Sequence, residues 1–584
     1  MKRIAGILAA LLLAVVALFS LLLVLLPREA VKTQVGQQIA AWTGREVSLR
    51  GEPQINFFPT LSVTLNDVTV SGPSEMADAE ILSMDRLTGA IRLAPLLIGR
   101  VEIESYEMIR PVVHLVRDEA GRRNWAFGSG AAALQLAFAG DVPLGAFDLE
   151  GGSVIYEDRQ TGDAERIDSL DITVDWSSVR APLSVEGVGI WRGEQVAVSA
   201  GASAPFSFIN GGATPFEARI ESAPISMIFT GEAADYPWPR MSGPLKLSTP
   251  SLRRFANWLG SPIGSGSIPG RASLFGTAEF RDGVLSVANA EVTLDGNSAS
   301  GALKVTAAAR PDVTGTLAFE TLDLTPYFAG LGTTLSSAAD WRGVALPTDW
   351  FDDLSADIRL SANAVELGSL TTGAAAASVS LKDARLEVGV AQAVLNGGSL
   401  SGNLAIAGKQ APLVEAQLRV SDVDLARIGD ALGLTQLLAG KGSGTVDLAT
   451  RGRDLGTMLD GLDGTARLEV RNGAVPAFGI ASVAAAAGVA ADPGPMEPLS
   501  PVQVNAASAG FSFSSGVAVL ERARLTTASY SSEAQGWVGL RDGTLGLNGS
   551  VWSGAAGPSH AAAFPFSIEG TLASPEARLL ALEN

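Results

Sequence analysis

The stretch that decides the fold is RDGVLSVANAEVTLDGNSASGAL, residues Arg281–Leu303, because nearly the same pattern returns 101 residues later as KDARLEVGVAQAVLNGGSLSGNL, residues Lys382–Leu404. The recurring residues are Leu285, Val287, Leu294, Gly296, Ser298, Ser300, Gly301 and Leu303, which return as Leu386, Val388, Leu395, Gly397, Ser399, Ser401, Gly402 and Leu404. Apolar residues alternate with polar or small ones in both copies, which is typical of β-strands with one apolar face. The turns Asp295-Gly296 and Asn396-Gly397 suit positive φ and predict hairpins. A fixed period indicates units that stack on their neighbours rather than one closed globule.

Length and composition agree with a fold made of many thin strands. The chain has 584 residues, with 65 glycines and only 6% aromatic residues, so turns are abundant and large core side chains are scarce. Short strands separated by frequent turns predict roughly 30 to 45 strands, once the helices are allowed for. We therefore expect a mainly β fold: an elongated, curved antiparallel β-sheet array that forms a repeating β-groove. A few short helices are expected within it, at Ser251–Leu259, Pro326–Leu331, Ala426–Leu437 and Ala481–Ala491.

The N-terminus carries a segment typical of a membrane anchor. An unbroken apolar run, Ile4–Leu26, follows Met1-Lys2-Arg3 and is long enough to cross a hydrocarbon core. The run ends without a small-x-small cleavage site, which favours a retained transmembrane helix over a cleaved signal peptide, the alternative that stays open. Because the two basic residues favour a cytoplasmic N-terminus, nearly everything after Pro27 is expected across the membrane. Apolar residues at helical spacing predict an amphipathic helix over Arg28–Trp42.

A series of short motifs resembles the N-terminal signature of the AsmA family. The residues that carry it are Gly44, Arg45, Pro59, Pro95, Leu96, Gly99, Pro111, Gly121, Asn124 and Trp125. The predicted strand Leu149–Asp158 continues the resemblance, and the C-terminal third, Gly461–Leu582, is similar to the C-terminal region of the family. The resemblance implies a relative of the AsmA-like and larger TamB proteins. Such proteins are anchored in the inner membrane, project into the periplasm, and are implicated in phospholipid transfer and outer-membrane assembly.

The repeats and motifs together divide the chain into five regions. These are a transmembrane signal anchor at 1–27, an N-terminal AsmA-like domain at 28–140 that starts with the amphipathic helix, a first β-repeat unit at 141–260, two tandem units of about 101-residue period at 261–440, and a C-terminal AsmA-like β domain at 441–584. The Gly/Ser-rich loop Gly264–Gly270 supports the boundary before the tandem units.

The residues that carry most enzyme chemistry are scarce. The chain has no cysteine and two histidines, so neither a histidine cluster nor a thiolate is expected to bind a metal. His114 is expected to be a half-buried strand residue and His560 a solvated loop residue, while Asp352-Asp353 is expected to be a solvated acidic pair. The net charge of −19 argues against nucleic acid as a partner. We therefore expect no enzyme activity, no cofactor and no metal.

One face of the repeats predicts an apolar groove, because an open sheet of many strands must curl. The expected lining residues are Leu285, Val287, Leu294, Leu303, Leu386, Val388, Val390, Leu395, Leu404 and Ile406. Acyl chains suit such a lining, because each buried methylene contributes about 0.8 kcal/mol without a specific polar partner. The expected partners are therefore membrane phospholipid and the inner membrane. At about 4.8 Å per strand the array would be on the order of 140 to 210 Å long. We therefore expect either an outer-membrane or periplasmic partner protein, or an oligomer of this chain, to complete the path.

Two readings of this apolar face remain open. In the first, the face stays accessible and carries lipid acyl chains for transport to, and assembly or homeostasis of, the outer membrane. In the second, the faces pack against each other, and the chain is a periplasmic scaffold or assembly factor for outer-membrane proteins without lipid carriage. Both place a single-pass protein in the inner membrane with most of its chain in the periplasm.

Overall fold

A computed structural model describes most of the chain. The described residues are 47–56, 60–72, 80–92, 103–125, 143–209, 211–234, 240–260, 270–308, 310–327, 341–343, 345–346, 348–368, 370–431, 438–476, 478–491, 497, 499–555 and 562–581. Within these ranges, no helix has both the length and the apolar character needed to cross a bilayer. The predicted anchor at Ile4–Leu26 and the predicted helix at Arg28–Trp42 lie outside them. Contacts divide the chain into a first unit, Met1–Leu247, and a second unit, Ser248–Asn584.

The described residues contain 31 strands, in agreement with the mainly β prediction. Twelve belong to the first unit: β1 (Val47–Leu49), β2 (Gln54–Asn56), β3 (Ser62–Val70), β4 (Leu82–Ile91), β5 (Ile103–Ile109), β6 (Val112–Arg117), β7 (Pro143–Asp158), β8 (Asp163–Ser178), β9 (Leu183–Trp191), β10 (Glu194–Ala202), β11 (Ala213–Ser222) and β12 (Ser226–Ala234). A thirteenth, β13 (Arg240–Thr249), contains the boundary between the units.

The remaining strands belong to the second unit. They are β14 (Ala272–Arg281), β15 (Val284–Leu294), β16 (Asn297–Thr306), β17 (Asp312–Asp323), β18 (Ser355–Leu367), β19 (Leu370–Thr372), β20 (Ala375–Lys382), β21 (Arg385–Leu395), β22 (Gly398–Ala407), β23 (Leu413–Asp424), β24 (Ala439–Arg451), β25 (Asp463–Pro476), β26 (Pro501–Ser514), β27 (Val517–Thr526), β28 (Tyr530–Gly539), β29 (Thr544–Ser553), β30 (Phe564–Thr571) and β31 (Ser574–Leu579).

The 101-residue repeat is confirmed strand by strand. Strands β15, β16 and β17 begin and end 101 residues before β21, β22 and β23. Both predicted hairpin turns have positive φ at their two central residues: 48° and 93° at Asp295-Gly296, and 45° and 78° at Asn396-Gly397. These values match the turn type whose twist suits a two-residue hairpin. Local turn chemistry therefore sets the register of each copy.

Each copy also has a bulge facing a glycine on the next strand. The register shifts after Val287 in β15 and after Val390 in β21, and the facing glycines are Gly301 and Gly402. A Cβ on Gly402 would lie 2.1 Å from the Gln417 carbonyl oxygen, so only glycine allows this close approach. The same arrangement recurs in β27 and β28, where Gly536 faces Leu520 beside the register shift.

The prediction of a purely antiparallel array needs correction at three pairings. In the first unit β5 and β6 both pair with β7 in parallel, and in the second unit β17 pairs with β18 in parallel. Two parallel strands need a crossover connection, which brings the chain back to the end of the sheet where the first strand began. The connections before β7 and β18 are long and irregular in sequence, so the sequence did not show in which direction the next strand would run. All other described pairings are antiparallel, as expected.

Five short helices interrupt the described strands, and three of them correspond to predicted ones. The five are α1 (Pro205–Ile209), α2 (Leu252–Trp258), α3 (Leu425–Ala431), α4 (Leu455–Asp460) and α5 (Ile480–Ala486). Helices α2, α3 and α5 confirm the helices expected at Ser251, Ala426 and Ala481, although α5 ends earlier than predicted. Of the helix expected at Pro326–Leu331, residues 325–327 are described and helical. Helices α1 and α4 are too short for apolar periodicity to show them.

Candidate functional site

The second unit has one sheet face made of apolar side chains and glycines, which we call the apolar face. Three rows of register partners cross it, each perpendicular to the strands. The first row contains Ala278, Val287, Leu303, Gly315, Ile358, Val379, Val388, Leu404, Ala416 and Leu448. The second contains Ala290, Gly301, Leu317, Leu360, Ala377, Val390, Gly402, Leu418, Val446, Ala466, Phe511, Leu520, Gly536, Leu547 and Ile568. The third contains Val292, Ala299, Phe319, Ala362, Ala375, Ala393, Leu400, Val420, Gly444, Leu468, Ala509, Ala523, Ala534, Gly549 and Phe566. No polar side chain interrupts these rows.

The register places all ten predicted lining residues on the apolar face. Five belong to the first two rows: Val287, Leu303, Val388, Leu404 and Val390. Three lie two residues beyond the first row on their strands, toward one rim of the face: Leu285, Leu386 and Ile406. The last two, Leu294 and Leu395, lie at the opposite rim beside the hairpin turns. The two copies therefore contribute matching positions to one face.

Accessibility of the apolar face changes along the sheet. Leu404 on β22 is 38% exposed and Leu468 on β25 is 47% exposed, whereas Val287 on β15 is only 2% exposed and Phe566 on β30 is fully buried. We call the part from β18 to β26 the open section. Its seven strand spacings of about 4.8 Å span about 34 Å, compared with about 15 Å for one leaflet of the hydrocarbon core of a bilayer.

A short segment between β17 and β18 covers one rim of the open section. Its 3₁₀ helix, Asp349–Asp352, packs the buried side chain of Phe351 against Leu381, with Leu386 and Ile406 beside it. Two of the predicted lining residues therefore lie under this segment. The sequence offered one signal for it, the adjacent aromatic residues Trp350 and Phe351.

Polar contacts hold this segment, which we call the rim segment, in place. The Thr348 hydroxyl donates to the Lys409 carbonyl oxygen at 2.9 Å, and Arg310 donates to the Phe351 carbonyl oxygen at 2.9 Å. Asp352, predicted as half of a solvated acidic pair, forms an ion pair with Lys409. The hydrogen bond that the Lys409 ammonium donates to the Asp352 carboxylate raises the pKa of Lys409. Asp352 therefore has a structural contact that the sequence did not indicate.

Charged side chains lie on the opposite face of the same strands. Arg385 contacts Glu387 at 2.7 Å and Glu415 on β23 at 2.8 Å. The hydrogen bond that Arg385 donates to Glu387, and to a smaller extent the one it donates to Glu415, raise the pKa of the Arg385 guanidinium. Segregation of charge to this face leaves the apolar face without an ionic group along its three rows.

Helix α5 closes the apolar face at its C-terminal end. Val483 and Ala484 of α5 are buried against a cluster that includes Val551, Phe566 and Ile568. Tyr530 also lies inside this cluster, where it is only 5% exposed, and its hydroxyl has no hydrogen-bond partner among the described residues. Burial raises the pKa of Tyr530 to about 12.

We expect stability of the second unit to fall between pH 10 and 12. In this range the unfolded chain releases the Tyr530 proton while the folded chain retains it, so rising pH favours unfolding by about 3 kcal/mol in total. Hydrogen exchange of β28 and β29 between pH 9.5 and 11.5 measures the loss. In Tyr530→Phe the fall should be smaller, and the baseline stability should not decrease, because an unpaired buried hydroxyl is removed. The control is Tyr106→Phe in the first unit, which should leave the pH dependence of the second unit as it is. An unchanged pH dependence in Tyr530→Phe would contradict the assignment of this loss to Tyr530.

The described family-motif residues stabilise the first unit. Asn124 is fully buried; its side-chain oxygen accepts from the Val116 amide at 2.9 Å and its amide donates to the His114 carbonyl at 2.8 Å. Gly121 has φ of 79° in the tight turn that precedes it. Trp125 packs beside Tyr156, with ring centroids 5.9 Å apart.

The remaining motif residues divide between this unit and the part that is not described. The Pro111 carbonyl accepts a hydrogen bond from the Ser153 amide at 2.8 Å. Pro111 lies between β5 and β6, and Ser153 lies on β7. The other positions lie outside the described residues: Gly44, Arg45, Pro59, Pro95, Leu96 and Gly99. The described part of the motif thus belongs to the framework of the first unit rather than to the apolar face.

The described residues that could carry catalysis or metal binding do not form a common site. His114 is partly buried in β6, as predicted, and its backbone amide donates to the Ile81 carbonyl at 2.9 Å. His560 lies outside the described residues. Among the residues that the structure describes, no group of three or more His, Asp or Glu side chains is placed to hold a metal ion.

The fold and the apolar face define a class: a protein built from tandem antiparallel β-units whose sheet has one continuous apolar face. The chain belongs to the AsmA family, whose family model matches residues 1–226 and 283–522. The two matched segments include the N-terminal motif and most of the repeats. A search of curated proteins finds no match to this chain.

Proposed function

We propose that the apolar face of the second unit carries lipid acyl chains, in a protein that is tethered to the inner membrane by residues 1–27. Most of the chain would lie in the periplasm and contribute to phospholipid transport to, and assembly or homeostasis of, the outer membrane. The observation that carries the proposal is the run of three register rows without a polar side chain, together with the accessibility of Leu404 and Leu468. Family membership supports the same assignment.

The energetics favour an unbranched hydrocarbon ligand. Each methylene that leaves water for an apolar surface contributes about 0.8 kcal/mol, and no polar group of the ligand needs a partner within the rows. A charged headgroup would lose hydration there without compensation. The headgroup is therefore expected to remain in solvent at the edge of the open section while the tails lie on the rows.

Photo-crosslinking tests the proposal with a matched pair of positions on each of two strands. We expect a photoreactive residue at Leu404 or Leu468 to form phospholipid adducts in the membrane-bound protein, because both side chains are exposed on the apolar face. The controls are Asn403 and Arg467, the preceding residues on the same strands, whose side chains point to the polar face. Mass spectrometry of the adducts identifies the lipid.

Other adduct patterns would contradict the proposal. Equal phospholipid labelling at all four positions would indicate unspecific contact with the membrane. Protein adducts without lipid at Leu404 and Leu468 would favour the scaffold alternative, in which another polypeptide covers the apolar face. Absence of any adduct at these two positions would leave the open section without an occupant and would reject lipid carriage.

A further inference from the structure

A cavity of about 370 Å³ lies where the open section meets helix α5. Its floor is the apolar face of β25 to β30, including Leu468, Phe511, Ala523 and Leu547. Its wall is formed by the end of β25 (Val475 and Pro476), by Phe478, and by Ile480, the first residue of α5. We call this cavity the terminal pocket. Its volume falls in the range of about 300 to 1,000 Å³ that is usual for small-molecule sites.

The terminal pocket continues the open section and then ends. Leu468 at its mouth is 47% exposed, Leu520 inside it is 6% exposed, and Ile568 at the far side is fully buried. Beyond Ile568 the face is filled by the protein's own cluster with α5. The open section therefore leads into a blind end on the C-terminal side.

Tight backbone packing holds the closing helix in place. Gly479 precedes α5 with φ of 81°, and a Cβ there would lie 2.7 Å from the Cβ of Ala577 on β31. A glycine is required for both reasons: the left-handed conformation and the close approach. Helix α5 is thus seated against β31 as part of the folded core.

The chemistry of the pocket excludes a charged ligand group. Arg524 is the one charged residue among the described lining residues, and its register partners Ser508 and Glu533 place its side chain toward the polar face. Ser532 contributes a hydroxyl on the apolar side. The remaining side chains on that side are apolar, so the pocket suits the methyl end of a hydrocarbon chain.

We infer that the terminal pocket receives the methyl end of one lipid acyl chain and so limits the length of chain that the protein holds. This inference rests on the proposed lipid carriage. Because α5 closes the far side, the chain end enters from the open section and leaves the same way. A chain too long for the pocket leaves methylenes exposed to water, and two such methylenes correspond to about tenfold weaker binding.

The position of the chain end can be mapped without any substitution. The full-length protein is incubated with vesicles of phosphatidylethanolamine and phosphatidylglycerol that contain a phospholipid with a diazirine at the acyl terminus. A second probe has its diazirine next to the headgroup. We expect the terminal probe to label peptides of β26 to β28, and the headgroup-proximal probe to label β20 to β24.

Filling the terminal pocket provides the second measurement. Ala523→Phe places a ring over the pocket floor and should reduce labelling of β26 to β28 by the terminal probe about tenfold, with a shift toward β22 to β24 and toward shorter copurified chains. The matched control is Ala506→Phe on β26, an exposed position whose register partners Arg471 and Thr526 place its side chain toward the polar face, and it should leave terminal labelling in the pocket. Ala509→Leu is a smaller filling change, should Ala523→Phe fail to fold.

The outcomes separate this inference from the proposed function. Terminal labelling that is spread evenly over the apolar face, or that stays in the pocket in Ala523→Phe, would overturn the inference while phospholipid binding stands. Loss of labelling with both probes in the unaltered protein would overturn both. Pocket labelling that moves in Ala523→Phe but not in Ala506→Phe supports the inference.

Discussion

Gly402→Val is expected to break the pairing of β22 with β23. Gly402 has a φ of 153°, which residues other than glycine rarely adopt. A Cβ at this position would lie 2.1 Å from the Gln417 carbonyl oxygen and 2.9 Å from the Leu418 Cα. Neither backbone atom can move without separating the strands. Backbone strain and the loss of two or more buried hydrogen bonds together should cost about 3 to 5 kcal/mol.

Hydrogen exchange of the full-length protein measures this loss locally. Amides of β22 and β23 should exchange about a hundredfold to a thousandfold faster in Gly402→Val, because each 1.4 kcal/mol corresponds to about tenfold. The matched control is Gly510→Ala on β26, a strand glycine with no atom within 4 Å of its Cβ position and no positive φ. Similar exchange in the two variants would contradict the close approach described at the bulge.

Asn124→Leu should destabilise the first unit to a similar degree. The leucine has nearly the same size but cannot accept from the Val116 amide or donate to the His114 carbonyl, and both groups are left unpaired in a fully buried site. Two unsatisfied backbone groups should together cost about 2 to 5 kcal/mol. Exchange of β6 and β7 amides and the thermal unfolding of the first unit measure the effect.

Two further substitutions make this test specific. Glu119→Ala changes an exposed residue of the same turn and should alter stability by less than about 0.5 kcal/mol. Asn124→Asp retains the acceptor but loses the donor and buries a charge, so it should also be destabilising. If Asn124→Leu folds as stably as Glu119→Ala, the side chain does not bridge the two backbone groups.

The repeat made the strands and hairpins of the tandem copies predictable. Positive φ at Asp295-Gly296 and Asn396-Gly397 follows from turn chemistry that involves only neighbouring residues. Alternation along each strand also assigned Leu285 with Val287, and Leu386 with Val388, to one face. Leu294 and Leu395 reach that face only because the bulges after Val287 and Val390 shift the register, and strict alternation does not predict this.

Other features depended on residues far apart in the chain. The parallel pairing of β17 with β18 is decided by the path of a long connection, which has no short-range pattern. The rim segment is held by Arg310 and Lys409, and neither lies within the segment itself. The terminal pocket joins the β25 to α5 connection to strands up to β30, about a hundred residues later.

By itself, the sequence determined that this protein is a tandem β-structure with one apolar face, since period, alternation and turn residues are all local properties. Only the tertiary structure decided which part of that face is accessible. Accessibility depends on what packs above each strand, and Phe351 and helix α5 cover positions whose local pattern is the same as that of exposed Leu404. Repeated sequence therefore encodes repeated strands, while the unique segments between them decide where the apolar face is open to a ligand.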